Sequence, residues 1–222
     1  MTGWKLAGIA DMDKNGKPDM IWQNTGSRRL RYWLMGGARG ETILASVDAQ
    51  GPDRPGWTVR TAVDMDANGH ADMAWQADSD HQVLVAFMGG PDGTQFLSSS
   101  WMSTGAMEEW SVAALADMDA NGKFDMIWQH DATRILACWF LQGPKGDTFL
   151  DFAWLSTGAM EDWSVAALVD LDTDGKADLV WQNDQTRNLA VWYLQGAKGA
   201  TFKAFAWLNQ TPMSGWRAHI GR

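Results

Sequence analysis

Hydrophobic positions along this chain come in short runs separated by polar stretches rich in Gly, Asn and Asp. Residues 110–154 show the pattern: WSVAALAD, an acidic loop, MIWQ, a polar turn, ILACWFLQG, a Gly-Pro-Lys-Gly turn, then DTFLDFAW. Runs of this length, rich in β-branched and aromatic residues and bounded by turn formers, predict strands. No stretch carries a sustained helical period. In the third run Leu136, Cys138 and Phe140 alternate with Ala137, Trp139 and Leu141, so both faces are apolar. A strand covered on both sides implies sheet packed on sheet.

The runs recur. Trp4, Trp57, Trp110, Trp163 and Trp216 stand 53 residues apart without insertion or deletion. Asp11, Asp64, Asp117 and Asp170 share that step, as do Trp22, Trp75, Trp128 and Trp181, each followed by Gln. A third column reads Trp33, Ala86, Trp139, Trp192, and a fourth Asp48, Trp101, Trp154, Trp207; these columns hold all 15 Trp of the chain. Four strands per repeat, with small residues such as Gly8, Ala113 and Ala166 in the first, predict an all-β fold: a β-propeller of four blades. The repeats span 4–56, 57–109, 110–162 and 163–215 in a single domain, and 216–222 copies the start of a first strand. Four blades is the lower limit for closure. The favoured expectation is a monomeric ring with 216–222 as closing strand, the rival an open arc closed by a homodimer.

The loop after each first strand is acidic. Counted from its first Asp, positions 1, 3, 5, 6 and 9 are Asp11, Asp13, Asn15, Gly16, Asp19; Asp64, Asp66, Asn68, Gly69, Asp72; Asp117, Asp119, Asn121, Gly122, Asp125; and Asp170, Asp172, Asp174, Gly175, Asp178. Alternating oxygen donors with Gly at position 6 wrap a hard cation, and the backbone carbonyl of position 7 (Lys17, His70, Lys123 or Lys176) adds a ligand. Position 12 is Trp where an EF-hand needs Glu, so the expected element is a metal-clasped β-hairpin, anchored at its base by Trp. The plain alternative is an Asn-Gly turn with solvated aspartates; recurrence of position 9 favours metal. Flexible, oxygen-rich loops suit calcium over magnesium, about one ion per repeat.

Charge agrees with this reading. Four divalent ions would take the formal charge from −9 to about −1, so the acidity belongs to the loops. No basic stripe suggests nucleic acid, no apolar run is long enough to insert in a membrane, and no signal peptide stands at the start of this chain. The single cysteine, Cys138, lies in an apolar run and is read as core.

The W-x(6)-D-x-D-x-N-G-x-x-D-x-x-W-Q pattern resembles the FG-GAP/VCBS calcium-binding repeats of integrin-like propellers, and looks similar to their bacterial and fungal members, including propeller lectins. The resemblance covers essentially the whole chain. It implies calcium at the loop residues named above, extracellular or cell-surface placement, and binding rather than catalysis. Propellers of that kind usually have seven blades, where this chain offers four.

The functional expectation is therefore a calcium-stabilised, non-catalytic module that binds carbohydrate at several equivalent sites. Candidate ligand residues are Trp101, Trp154 and Trp207, since Trp stacks on sugar faces. The loops STGAMEEW and STGAMEDW follow the first two and add Glu108 and Glu161, with Ser103, Thr104, Ser156 and Thr157. Repeat one has Asp48 in that column, so at most three equivalent sites are expected. The same tryptophans could instead serve blade packing. The alternative function is a protein-binding adhesion or scaffold propeller with calcium purely structural, its partner a cell-surface protein rather than a glycan. His70, His81, His130 and His219 occupy different repeat positions and assemble no catalytic group. Gln23, Gln76, Gln129 and Gln182 are expected to bond a neighbouring blade's backbone or to line a pocket. Arg60, Ala86 and Asp48 break their columns, which makes blades one and two the place for a unique partner site.

Overall fold

A computed structural model describes residues 2–49, 54–103, 105–156 and 158–218. The fold is all-β, with four antiparallel four-stranded sheets, one per 53-residue repeat, each in the order of the chain: the blades of a β-propeller. Blade one holds β1 (Trp4–Ala10), β2 (Asp19–Asn24), β3 (Leu30–Gly36) and β4 (Thr42–Asp48). Blade two holds β5 (Trp57–Val63), β6 (Asp72–Ala77), β7 (Val83–Gly89) and β8 (Gln95–Trp101). Blade three holds β9 (Trp110–Ala116), β10 (Asp125–His130), β11 (Leu136–Gln142) and β12 (Thr148–Trp154). Blade four holds β13 (Trp163–Val169), β14 (Asp178–Asn183), β15 (Leu189–Gln195) and β16 (Thr201–Asn209). The described residues fall into two compact units divided between Glu108 and Glu109, the first carrying blades one and two, the second blades three and four.

Third strands are buried on both faces, as the sequence predicts: β7 is buried throughout, and Leu136, Cys138 and Phe140 are inaccessible. Burial pushes the Cys138 thiol pKa well up, so it behaves as a small apolar side chain. The Trp at loop position 12 seats each hairpin. Trp75, Trp128 and Trp181 are buried, and Trp22, Trp128 and Trp181 pack on Trp33, Trp139 and Trp192 at 4.9–5.0 Å with interplanar angles of 56–62°. Their indole N–H groups are buried without a hydrogen-bond partner, so apolar burial alone carries these positions. Burying an indole removes about 200 Å² from water, ~5 kcal/mol as an upper bound.

Two irregularities recur in every blade, and β16 carries a further one at Leu208. The first strand bulges at Ala7, Arg60, Ala113 and Ala166, and the fourth at Leu44, Leu97, Leu150 and Lys203. A bulge leaves one residue unpaired and re-aims its side chain.

Within each unit the repeated glutamine joins one blade to the next. Gln23 Nε2 donates to the Trp57 carbonyl (3.0 Å), and Val59 N–H donates to Gln23 Oε1 (3.2 Å). Gln129 does the same with Trp163 and Val165, at 3.0 and 3.3 Å. This is the backbone-bonding role among the two expected for the column. Residues 216–218 carry no strand, yet they meet Gln182 as a first strand would: Gln182 Nε2 donates to the Trp216 carbonyl (3.5 Å) and Ala218 N–H donates to Oε1 (3.0 Å). The remainder of the expected closing strand, 219–222, lies outside the described residues.

Leucine in place of Gln129 would leave a carbonyl and an amide unpaired, each costing about 1–3 kcal/mol. Gln129→Leu is expected to lower the urea midpoint at unchanged slope. An unaltered midpoint would mean that the amide is not the joint between blades three and four.

Candidate metal loops and aromatic ledges

The acidic hairpin of each repeat is wired by its own side chains. In repeat one Asp11 accepts the N–H groups of Asn15 (3.1 Å) and Gly16 (2.9 Å), and Asp13 accepts Asn15 N–H at 3.1 Å. Asn15 Oδ1 accepts Lys17 N–H (2.8 Å), while its Nδ2 reaches across to donate to the Met35 carbonyl at 2.7 Å. Asn68 and Asn121 form the same latch to Met88 and Leu141, at 2.8 and 2.9 Å. Position 4 (Lys14, Ala67, Ala120, Thr173) and the Gly at position 6 are both left-handed, which curls the loop around its carboxylates.

Position 9 has backbone partners that its expected role as a metal ligand does not call for. Asp19, Asp72, Asp125 and Asp178 open the second strands and are buried, with almost no exposed surface. Each carboxylate receives at least two backbone N–H groups: for Asp125, Met118 at 2.8 Å and Leu141 at 2.8 Å, and for Asp72 a third from Asp66 at 3.3 Å. Position 9 therefore recurs for a reason the sequence did not reveal, since it ties the loop to the end of the third strand whether or not a cation is present. The two roles are compatible because a carboxylate has about four acceptor sites.

In every repeat the aspartates of positions 1, 3 and 9 offer oxygens within 4.8 Å of one another. Ligands on opposite sides of a calcium ion at 2.3–2.6 Å are about 5 Å apart, so these all-oxygen groups fit a hard cation. The sequence-predicted residues Asp11, Asp13, Asp19; Asp64, Asp66, Asp72; Asp117, Asp119, Asp125; and Asp170, Asp172, Asp178 are thus brought together, four times over. Of the position 7 residues, Lys17, Lys123 and Lys176 send Nζ to the carbonyls of Ala38, Pro144 and Ala197. His70 is buried instead, with Nδ1 against the Met12 carbonyl at 2.5 Å.

Without cations Asp19, Asp72 and Asp125 resist ionisation. Burial, opposed by the backbone N–H groups, pushes Asp72 up to about 7 and Asp125 up to about 6, and raises Asp19. A carboxyl whose folded pKa lies above its unfolded value contributes stability that is full below about 4 and is lost as pH rises through the folded pKa. With divalent cations chelated, the unfolding midpoint is therefore expected to fall between pH 5 and pH 7.5. Thermal scans in EDTA across that range check it, and a midpoint that rises instead would contradict the sign.

Trp101 and Trp154 end β8 and β12, Trp207 stands two residues before the end of β16, and the three are 54%, 51% and 43% exposed. Each rests against the first tryptophan of its own repeat, Trp57, Trp110 or Trp163, at 5.7–6.0 Å, so packing and exposure are combined. Phe152 and Phe205 stand edge-on to Trp154 and Trp207 and extend the ledge in blades three and four. In blade one the ledge is replaced: Asp48 takes a bidentate pair from Arg31 (2.6 and 3.1 Å), and the Arg31 guanidinium lies 5.0 Å from the Trp4 ring centroid. Three blades thus share one geometry and the first does not.

The neighbouring loops contribute less than expected. Ser103 and Ser156 are buried, their hydroxyls accepting the N–H groups of Val83 and Leu136 at 2.9 Å, and so hold the loop rather than face solvent. Glu108 and Glu161 are exposed, and Thr104 and Thr157 lie outside the described residues. Of the column breakers, Arg60 is exposed and Ala86 is buried in the core.

A further set escaped sequence reasoning. Arg28 pairs with Asp78 (2.5 Å) and Arg134 with Asp184 (3.2 Å), joining consecutive blades, and Thr58 and Ser164 bond the same aspartates. The signal was present, as Arg28, Arg134 and Arg187 share the 53-residue register.

No family model matches the chain, and no curated protein matches it.

Proposed function

We propose that this chain is a calcium-stabilised, non-catalytic module that binds carbohydrate through its repeated tryptophan ledges. Calcium would be held in each loop by the aspartates at positions 1, 3 and 9, with the side chain of position 5 and the carbonyl of position 7 (Lys17, His70, Lys123, Lys176) as further oxygens. The observation that carries the sugar reading is the half-exposed Trp in the last residues of β8, β12 and β16, fixed on one side by a second Trp. A rigid, partly apolar platform is what a sugar ring's CH face stacks on, and three weak equivalent sites gain by avidity on a surface bearing many glycans. The exposed Glu108 and Glu161 supply acceptors for sugar hydroxyls beside two of the ledges. Calcium loops of this kind fill reliably at about millimolar calcium, which favours a position outside cells or on their surface.

A glycan array in calcium tests the reading. Binding to one sugar class is expected, with loss of most of the signal in the triple variant Trp101→Ala, Trp154→Ala, Trp207→Ala. No binding to any glycan by the folded protein would overturn it. The exposed Phe149, Leu150, Phe202, Phe205 and Leu208 on the outer strands favour a second reading, a protein-binding scaffold. Binding unaffected by free sugar would select that one.

A further inference from the structure

The fourth acidic loop departs from the other three at two coupled places. Position 5 is Asp174 where the others have Asn, and the bulged residue of the outer strand is Lys203 where the others have Leu44, Leu97 and Leu150. An aspartate has no N–H to donate, so repeat four lacks the latch that Asn15, Asn68 and Asn121 make to the third strand. Instead the bulge aims Lys203 over the loop, where Nζ donates to Asp172 Oδ2 at 2.7 Å and to Asp174 Oδ2 at 2.9 Å. The two bonds hold the carboxyl of Asp174 below the usual range and the Lys203 ammonium above its own.

We propose that the Lys203 ammonium is the resident cation of the fourth loop, so that the chain takes up three calcium ions tightly and a fourth at least tenfold more weakly. The inference rests on the calcium reading above. In loops one to three the position 3 carboxylate accepts the backbone N–H of position 5, Asp13 from Asn15, Asp66 from Asn68 and Asp119 from Asn121, each at 3.1 Å, and the bulged outer-strand residue is a leucine with no ammonium to offer. In loop four a divalent ion reaching Asp172 must break two charge-assisted hydrogen bonds and then sit beside a positive charge. The extra carboxylate of Asp174 offsets the ammonium, which leaves loop four assembled without metal. Blade four would therefore keep its hairpin when calcium is scarce, while the other three depend on the ion.

Isothermal titration of calcium into the chelator-stripped full chain tests this, comparing wild type with Lys203→Leu. Repeat three already carries Leu150 with Gln142, the same surroundings that Leu would meet beside Gln195, and Lys203→Met serves as a second neutral variant. Wild type is expected to show three tight sites and one at least tenfold weaker. The variants should show four sites of comparable affinity, and a lower thermal midpoint than wild type in EDTA but not in calcium. Four equivalent sites in wild type, or a fourth site unchanged in both variants, would overturn the inference while leaving the calcium reading intact. Absence of calcium uptake at any loop would overturn both.

Discussion

Stripping divalent cations with EDTA is expected to lower the thermal unfolding midpoint by at least ~10 °C. Each loop gathers three aspartate oxygens within 4.8 Å, one of them from a side chain with almost no exposed surface. Like charges so placed repel, and burial adds a further cost to ionisation that pushes the Asp72 carboxyl up to about 7. An ion bound at a hundred times its dissociation constant stabilises by about 2.7 kcal/mol per site. In a chain of this size one kcal/mol moves the midpoint by about 2–4 °C. Even two filled sites therefore give the expected shift, and three or four exceed it. A midpoint that does not move between calcium and EDTA would leave the loops as hydrogen-bonded turns, held by Asp19, Asp72, Asp125 and Asp178 alone.

Alanine at Gly93 or Gly199 is expected to cost more than ~3 kcal/mol, the largest effect of any single methyl group added to this chain. A Cβ on Gly93 would lie 2.0 Å from the Met12 carbonyl oxygen, and one on Gly199 2.4 Å from that of Met118. Both contacts set the outer turn of one blade against the acidic loop of the blade before it, so the backbone itself must move. Both residues also have positive φ, +69° and +58°. Gly40 occupies the same register with φ +75°, but its Cβ would meet only the Lys17 side chain at 3.7 Å. Gly40→Ala should therefore cost only the conformational strain, about 1–2 kcal/mol. Urea unfolding of the three variants separates the terms, and equal losses at all three positions would show that strain rather than contact between blades sets the cost.

Much of this was legible because the repeat averages out local ambiguity. A single run such as MIWQ is too short to classify; four copies in register, each followed by a turn and an apolar run, fix it as a strand. The two-faced burial of Leu136–Leu141 followed from composition alone. Side-chain wiring was less legible. Position 9 carries a role that counting its oxygens does not reveal, since it accepts amides of residues 7 positions before and 16 after, as Met118 and Leu141 are to Asp125. Ser103 and Ser156 looked like ligand groups because their loop was polar, yet their hydroxyls serve backbone amides of the third strand. Lys203 was invisible to a search for recurrence, being a departure from a leucine column in a strand whose bulge only the pairing register reveals.

The central claim is that these hairpins carry calcium. Native mass spectrometry of the purified chain, dialysed against calcium at about the millimolar level that fills such loops and sprayed from a volatile buffer, counts the ions directly. The account predicts a dominant species with three bound calcium ions, converting to the metal-free mass after EDTA. A single metal-free species before and after chelation would contradict it.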